Sequence, residues 1–363
     1  VVLAGIGDEP VWIRAEGMIS PEYLKGEILK VIRRAALSCT INVKALGHSI
    51  EDLTMEDRLF DASIAAYLLN PLKSVFTYDS MAQDHLNLTL PSRNDWIKKA
   101  AIGEVPAEDA NKLENYLAQE ALMPLKRYDV LMQKLDEAGM LSLYQDIELP
   151  LSFVLRDMEH FGIQVESEAL SQYGLALTGR IQELEEGIYE LAGETFNILS
   201  PKQLGVILFE KMNLPYGKKT KTGYSTSAEV LEKLKNVDPI VNLILEYRQL
   251  TKLKSTYADG LSAYIQPDRR IHGLFHQTIT ATGRLSSAEP NLQNIPVRME
   301  LGRMIRKVFV PMEGCRFVNA DYSQIELRVL AHMAGDENLI EAYWQEEDIH
   351  RMTASKVFHT PLE

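Results

Sequence analysis

Behind Asp238-Pro239, eight apolar side chains recur at helical spacing: Ile240, Leu243, Ile244, Tyr247, Leu250, Tyr257, Leu261 and Tyr264. A strand alternates its faces every second residue and cannot gather this set on one side, so the stripe predicts one long amphipathic helix with its apolar face in a core. Aspartate before proline is a helix start, because the side chain caps a free N–H and proline needs none. Ser200-Pro201 repeats the signal ahead of Lys202 to Met212, and Thr226-Ser227-Ala228-Glu229 has capping-box spacing ahead of Val230 to Leu234. From about Ile147 to Ile265 the chain therefore reads as almost wholly helical.

The flanks read differently. Val1 to Ile6 and Val11 to Ile13, separated by Gly7-Asp8-Glu9-Pro10, fit a strand, a turn and a second strand. Ser20-Pro21 starts a helix, and the rest to about Ala138 reads as helices with short loops, so the first segment is expected to be an α/β domain. From about Ile271 the pattern is strand-like again. Phe317-Val318-Asn319-Ala320 is expected to be a short strand ending at Asp321, and Ser323 to Met333 the helix after it. The fold class expected is multidomain, α/β and α+β.

A length of 363 residues, with 46% apolar and 25% charged, suits a soluble chain of roughly two domains. No apolar stretch approaches the roughly 20 residues of a membrane span, and no basic-then-apolar leader opens the chain. It opens on Val1 and not Met, so it is expected to be a piece of a longer protein. Cys39 and Cys315 are expected to be reduced and buried, as in a cytosolic protein.

Taken alone, the net charge of −13 argues weakly against a nucleic-acid partner, because phosphate binding needs clustered Lys and Arg. Distribution matters more than the sum. The stretch Tyr216 to Ser225, with Lys218, Lys219 and Lys221, is basic and polar; Arg248, Lys252 and Lys254 join it from the polar side of the long helix. A solvated face is the bland account. The functional one is contact with phosphate oxygens, which needs cations and hydroxyls and reads no sequence.

An aspartate at a strand end just before a helix is most often a cap. The string Asp321-Tyr322-Ser323-Gln324-Ile325-Glu326-Leu327-Arg328 points elsewhere, because it resembles motif A of the family A DNA polymerases. Thr280-Ala281-Thr282-Gly283-Arg284-Leu285-Ser286-Ser287 and Pro290-Asn291-Leu292-Gln293-Asn294-Ile295-Pro296-Val297-Arg298 resemble the segment entering the palm of that family. Asp348-Ile349-His350-Arg351 resembles its continuation toward the fingers. Ser200-Pro201-Lys202-Gln203-Leu204 and Leu253-Lys254-Ser255-Thr256-Tyr257 resemble the thumb. The likeness is strong over about 147–363.

The resemblance implies an enzyme that extends a primer 3′-hydroxyl with deoxynucleoside triphosphates on template DNA, using two magnesium ions. Asp321 would hold both ions, with the Tyr322 carbonyl touching one. Glu326 would crowd out a ribose 2′-hydroxyl. Arg298, Ser323, Gln324, Glu326 and His350 would surround the incoming nucleotide. Arg284, Asn291 and Gln293 would meet the minor groove, whose acceptors are shared among base pairs. Ser200, Lys202, the 218–225 loop, Lys254, Ser255 and Thr256 would hold the duplex backbone. It further implies a bacterial, cytoplasmic monomer, a thumb over about 163–268, a palm start over about 270–335 and a fingers start over 336–363. The family's second metal-binding aspartate and its main fingers helix would lie beyond Glu363.

Residues 1–146 resemble the family's ribonuclease H-like 3′–5′ exonuclease domain, N-terminally incomplete. That chemistry needs about four carboxylates. Asn42-Val43-Lys44-Ala45-Leu46 matches one motif with leucine at the aspartate; Tyr116-Leu117-Ala118-Gln119-Glu120 matches another with glutamate there; Asp61 has a counterpart. Leu46 cannot bind a metal, so the expected domain is degenerate and structural. A proofreading nuclease and a non-catalytic duplex-binding module remain as alternatives. A single-subunit RNA polymerase is disfavoured by Glu326 and by the thumb likeness.

Overall fold

The computed structural model describes residues 2–3, 5, 9–215, 219–220, 223–296, 300–345 and 349–361. The chain divides into two compact units, Val1–Val310 and Pro311–Glu363.

In the first unit, β1 (Val2–Leu3) pairs antiparallel with β2 (Val11–Trp12). Helix α1 (Pro21–Arg34) starts as the sequence predicts: Ser20 Oγ accepts the Tyr23 N–H, and Pro21 stands at the first helical position. Strands β3 (Ser38–Thr40) and β4 (Leu59–Asp61) run parallel, with α2 (Val43–Ser49) in the crossover between them. Helix α3 (Ala62–Leu69) follows β4 directly and is buried nearly all round. After α4 (Tyr78–Leu86) and α5 (Arg93–Ile97) comes α6 (Ala110–Glu137), which packs on α3, α4 and α5. Phe60, Ala65, Met81, Leu131 and Leu135 close a core between them. Among the described residues no sheet exceeds two strands.

A π-helical turn, Leu143–Glu148, leads into α7 (Leu149–Phe161), which packs against α2. Beyond β5 (Ile163–Gln164) lies a single large core that runs from Val165 to Val308. Its axis is α8 (Ser167–Ala192) against α11 (Pro239–Leu253). The apolar stripe behaves as expected: Ile240, Ile244, Tyr247, Leu250, Tyr257 and Leu261 are buried, and Leu243 packs on them. Tyr264 is the exception and is exposed. The helix continues past α11 through a π-helical turn, Lys254–Asp259, into α12 (Gly260–Ser262).

Around this axis stand α9 (Pro201–Gly205), capped by Ser200, the short pair β6 (Lys219–Thr220) and β7 (Gly223–Tyr224), and α10 (Ala228–Leu234). The capping box foreseen at Thr226 does not form. Thr226 is buried under Arg248, whose Nη1 donates to its carbonyl at 2.6 Å, and Ser227 takes the cap position. Strand β8 (Arg270–Ile271) pairs with β5, and β9 (Leu274–His276) with β10 (Ser286–Ala288). Helix α13 (Glu300–Arg306) ends the unit, with Ile305 and Val308 in the large core.

The second unit holds α14 (Ile325–Ala334), α15 (Glu337–Trp344) and α16 (Ile349–Phe358). Residues 317–320 are not a strand. A strand needs a partner for its N–H and C=O groups, and among the described residues none lies beside this segment; Phe317 and Val318 are 58% and 91% exposed. Both cysteines are free. Cys39 is half-buried, with its thiol pushed up to about 11 by burial, but Cys315 is exposed, against expectation. No described helix is long and apolar enough to cross a membrane.

Candidate functional site

Asp321, Tyr322 and Ser323 form an exposed turn ahead of α14. Gln324 takes the left-handed conformation (φ 52°, ψ 40°), uncommon for a residue other than glycine, and this sets the turn off from the helix. Two side chains outside the turn hold it. Arg328 Nε donates to the Ser323 carbonyl at 2.9 Å, and its guanidinium lies 4.5 Å from the centre of the Tyr343 ring. The Tyr343 hydroxyl in turn donates to Gln324 Oε1 at 3.1 Å. Glu326 is exposed on the first turn of α14. Sequence reasoning assigned no role to Arg328 or Tyr343, although Arg328, four residues beyond the cap, was the available signal.

The Asp321 carboxylate and the Tyr322 carbonyl are hard oxygen donors on one accessible turn, the kind magnesium takes along with phosphates and water. They are two oxygen donors of the type magnesium takes, where its octahedral shell needs six. Among the described residues no group of three or more His, Cys, Asp or Glu side chains could share a metal. Arg298 lies outside the described residues, and His350 falls on α16.

The first unit gathers part of the predicted duplex-binding set. Thr256 and Asn291 line one groove of about 470 Å³ with Gln249, Lys252 and Asn294. Asn291 Oδ1 accepts the backbone N–H of Gln293 and Asn294, at 3.1 and 3.2 Å, which fixes that turn. Arg284 and Gln293 are exposed, as are Lys202 and Ser255. Ser200 is half-buried, and its hydroxyl accepts the Gln203 N–H at 3.4 Å, so that N–H of the helix start is already engaged. Lys254 lines a different groove and holds Asp259 at 2.7 Å. Arg248 is not on a solvated face. It donates to the Thr226 and Ile198 carbonyls, and burial lowers its pKa. Lys218 and Lys221 lie outside the described residues, and Lys219 belongs to β6.

Of the three positions matched to nuclease motifs in the sequence, two come together and Asp61 stands apart. Leu46 and Glu120 line one open cleft with Val11, Ile32 and Cys39. The Tyr116 hydroxyl donates to Glu120 at 2.5 Å; burial raises the pKa of Glu120, and this bond only partly offsets it. Asp61 is 1% exposed and fully engaged: Oδ2 accepts the Val43 N–H at 2.7 Å, and Oδ1 accepts the Ser63 hydroxyl and the Ile64 N–H at 2.8 and 2.9 Å. Burial pushes its pKa up to about 6 against those bonds. It joins β4, α2 and α3.

The family model for DNA polymerase family A matches residues 167–363. The chain is 50% identical over 302 residues to DNA polymerase I of Bacillus subtilis (strain 168), covering 83% of this chain and 34% of that protein. To the Geobacillus stearothermophilus DNA polymerase I it is 48% identical over 307 residues, covering 84% and 35%. To that of Caldicellulosiruptor bescii it is 42% identical over 352 residues, covering 96% and 38%. It thus spans about a third of the length of these curated relatives. Its fold is similar to that of the POL domain of Pol1 from M. smegmatis in complex with DNA primer-template and dNTP, with a TM-score of 0.82 and 36% identity, covering 99% of this chain and 60% of that one. The mostly helical chain, with its few short strands, belongs to the family A DNA polymerases.

Proposed function

We propose that this chain is the part of a DNA-templated DNA polymerase that grips primer–template and carries one of the metal-binding carboxylates. The observation that carries the reading is the Asp321–Arg328 string on an exposed, braced turn in a family A chain. Asp321 and the Tyr322 carbonyl would hold magnesium, which when bound supplies positive charge to triphosphate oxygens. Glu326, on the first turn of α14, would stand against the sugar, and Arg298, Ser323, Gln324 and His350 around the nucleotide. Thr256, Asn291, Gln293, Arg284, Lys202 and Ser255 supply polar and cationic groups for a duplex backbone and minor groove. A solved relative that holds primer-template and dNTP supports both partners.

Residues 147–363 would then be the polymerase portion, with thumb, palm start and fingers start as delimited above. Residues 1–146 would be a ribonuclease H-like nuclease domain without nuclease activity. Leu46 in the cleft and Asp61 consumed by backbone N–H groups favour this over a proofreading nuclease. The test is primer extension by the full-length protein with Asp321→Ala. Extension should fall at least about a thousandfold, the equivalent of roughly 4 kcal/mol of metal-derived stabilisation, while primer–template binding persists. Near-normal extension would sink the assignment.

A further inference from the structure

Helix α2 carries Leu46, where the nuclease motif has lost its carboxylate, yet other side chains of the same helix are fully employed. Lys44 Nζ bonds Glu159 Oε1 and donates to the Phe275 carbonyl at 2.5 Å. His48 Nε2 lies 2.5 Å from Glu159 Oε2. Glu159, on α7, is 3% exposed and also accepts the Phe275 N–H at 2.7 Å. A carboxylate this buried needs several donors, and here all of them come from α2 and β9. Gly47 completes the joint: a Cβ there would stand 2.7 Å from the Arg156 side chain, whose Nη1 donates to the Leu53 carbonyl at 2.7 Å.

The segment gripped in this way is the β9–β10 hairpin. Its connection is held at two further points. Gln277 Nε2 donates to the Glu148 carbonyl at 2.7 Å, and the hydroxyl of Tyr67, 2% exposed on α3, donates to the Thr280 carbonyl at 2.7 Å. Thr280 Oγ1 then donates to the Arg284 carbonyl at 2.6 Å, which closes the 280–284 turn. A continuous set of bonds therefore runs from the nuclease-like segment to the backbone of Arg284.

We propose that the nuclease-like segment serves polymerisation as a rigid mount: Tyr67 on α3, and Glu159 on α7 held by Lys44 and His48 of α2, are positioning residues that set the 277–285 turn and thereby Arg284 against the primer–template. This rests on the polymerase reading above. It assigns a present task to a domain whose metal ligands are degenerate: α2 and α3 hold a DNA-contacting turn in place of a metal pair.

The test uses the full-length protein with Tyr67→Phe, which keeps the ring and removes one donor, and Glu159→Gln as a second variant. Amide hydrogen exchange over residues 274–288 should accelerate about tenfold in either variant. The rate of single-nucleotide addition at saturating nucleotide should fall about tenfold, on the scale of one lost hydrogen bond. In an Arg284→Ala background Tyr67→Phe should cost almost nothing further, because the residue it positions is gone. Unchanged exchange would overturn the mount. Faster exchange with wild-type extension, or with equal losses in both backgrounds, would overturn its role in polymerisation. Failure of the unmodified protein to extend any primer would instead sink the polymerase reading, and the exchange rates alone would then judge the mount.

Discussion

Single residues show how far burial overrides residue type. Arg127, on α6, is completely buried, and none of its three guanidinium nitrogens has a hydrogen-bond partner among the described residues. Burial pushes its pKa down to about 10, and the charge of Asp84 recovers only part of that. An ion held this way is a net cost, since dehydration is compensated neither by hydrogen bonds nor by a close counter-ion. Arg127→Met keeps the length of the side chain and removes the charge. It should stabilise the protein by about 1–2 kcal/mol, read as a rise in the denaturant midpoint at unchanged m-value. A lower midpoint would mean that the guanidinium has an ionic partner. The contrast is Asp61, equally buried, whose oxygens accept three hydrogen bonds. Its local sequence, an aspartate before Ala-Ser-Ile, shows the α3 cap; the bond to Val43, 18 residues away, follows only from the parallel pairing of β3 and β4.

At the level of elements, the turn before α14 depends on Arg328 and Tyr343 more than on its own residues. Arg328→Ala removes a charged hydrogen bond to Ser323 and a cation–π contact, together worth about 1 kcal/mol at an exposed site. In the full-length protein the extension rate should drop about tenfold at unchanged primer–template affinity, because the Asp321 turn loses its orientation while the duplex grip stays intact. Loss of DNA binding in parallel would place Arg328 in the grip and not behind the turn. Helix starts were legible where the cap is local, as at Ser20, Ser200 and Asp238. At Thr226 the local signal failed, because Arg248, 22 residues on, claims both its carbonyl and its hydroxyl.

On the scale of the whole molecule, the proposed reading of residues 1–146 as a nuclease domain without nuclease activity has a direct test. Glutamate at 120 moves the carboxylate by a methylene, where magnesium demands near-ideal octahedral geometry, and leucine at 46 donates no oxygen. Incubated with a mismatched primer end, magnesium or manganese and no nucleotides, the full-length protein should not shorten the primer measurably. Trimming that survives Asp321→Ala, and so cannot be reversal at the polymerase site, would show that the domain still proofreads.

The sequence by itself determined the helical tract, its caps at Ser200 and Asp238 and the motif around Asp321, because local helix starts and amphipathic stripes are written in neighbouring residues. Only the tertiary structure decided which polar side chains are spent on the fold: Arg248 over Thr226, Asp61 across β4 and α2, and Glu159 between α2 and the β9–β10 hairpin. The physical reason is the same in each case. A buried charge or N–H must find a partner wherever the packed chain brings one, and Glu159 finds its partners 111 to 116 residues away along the sequence.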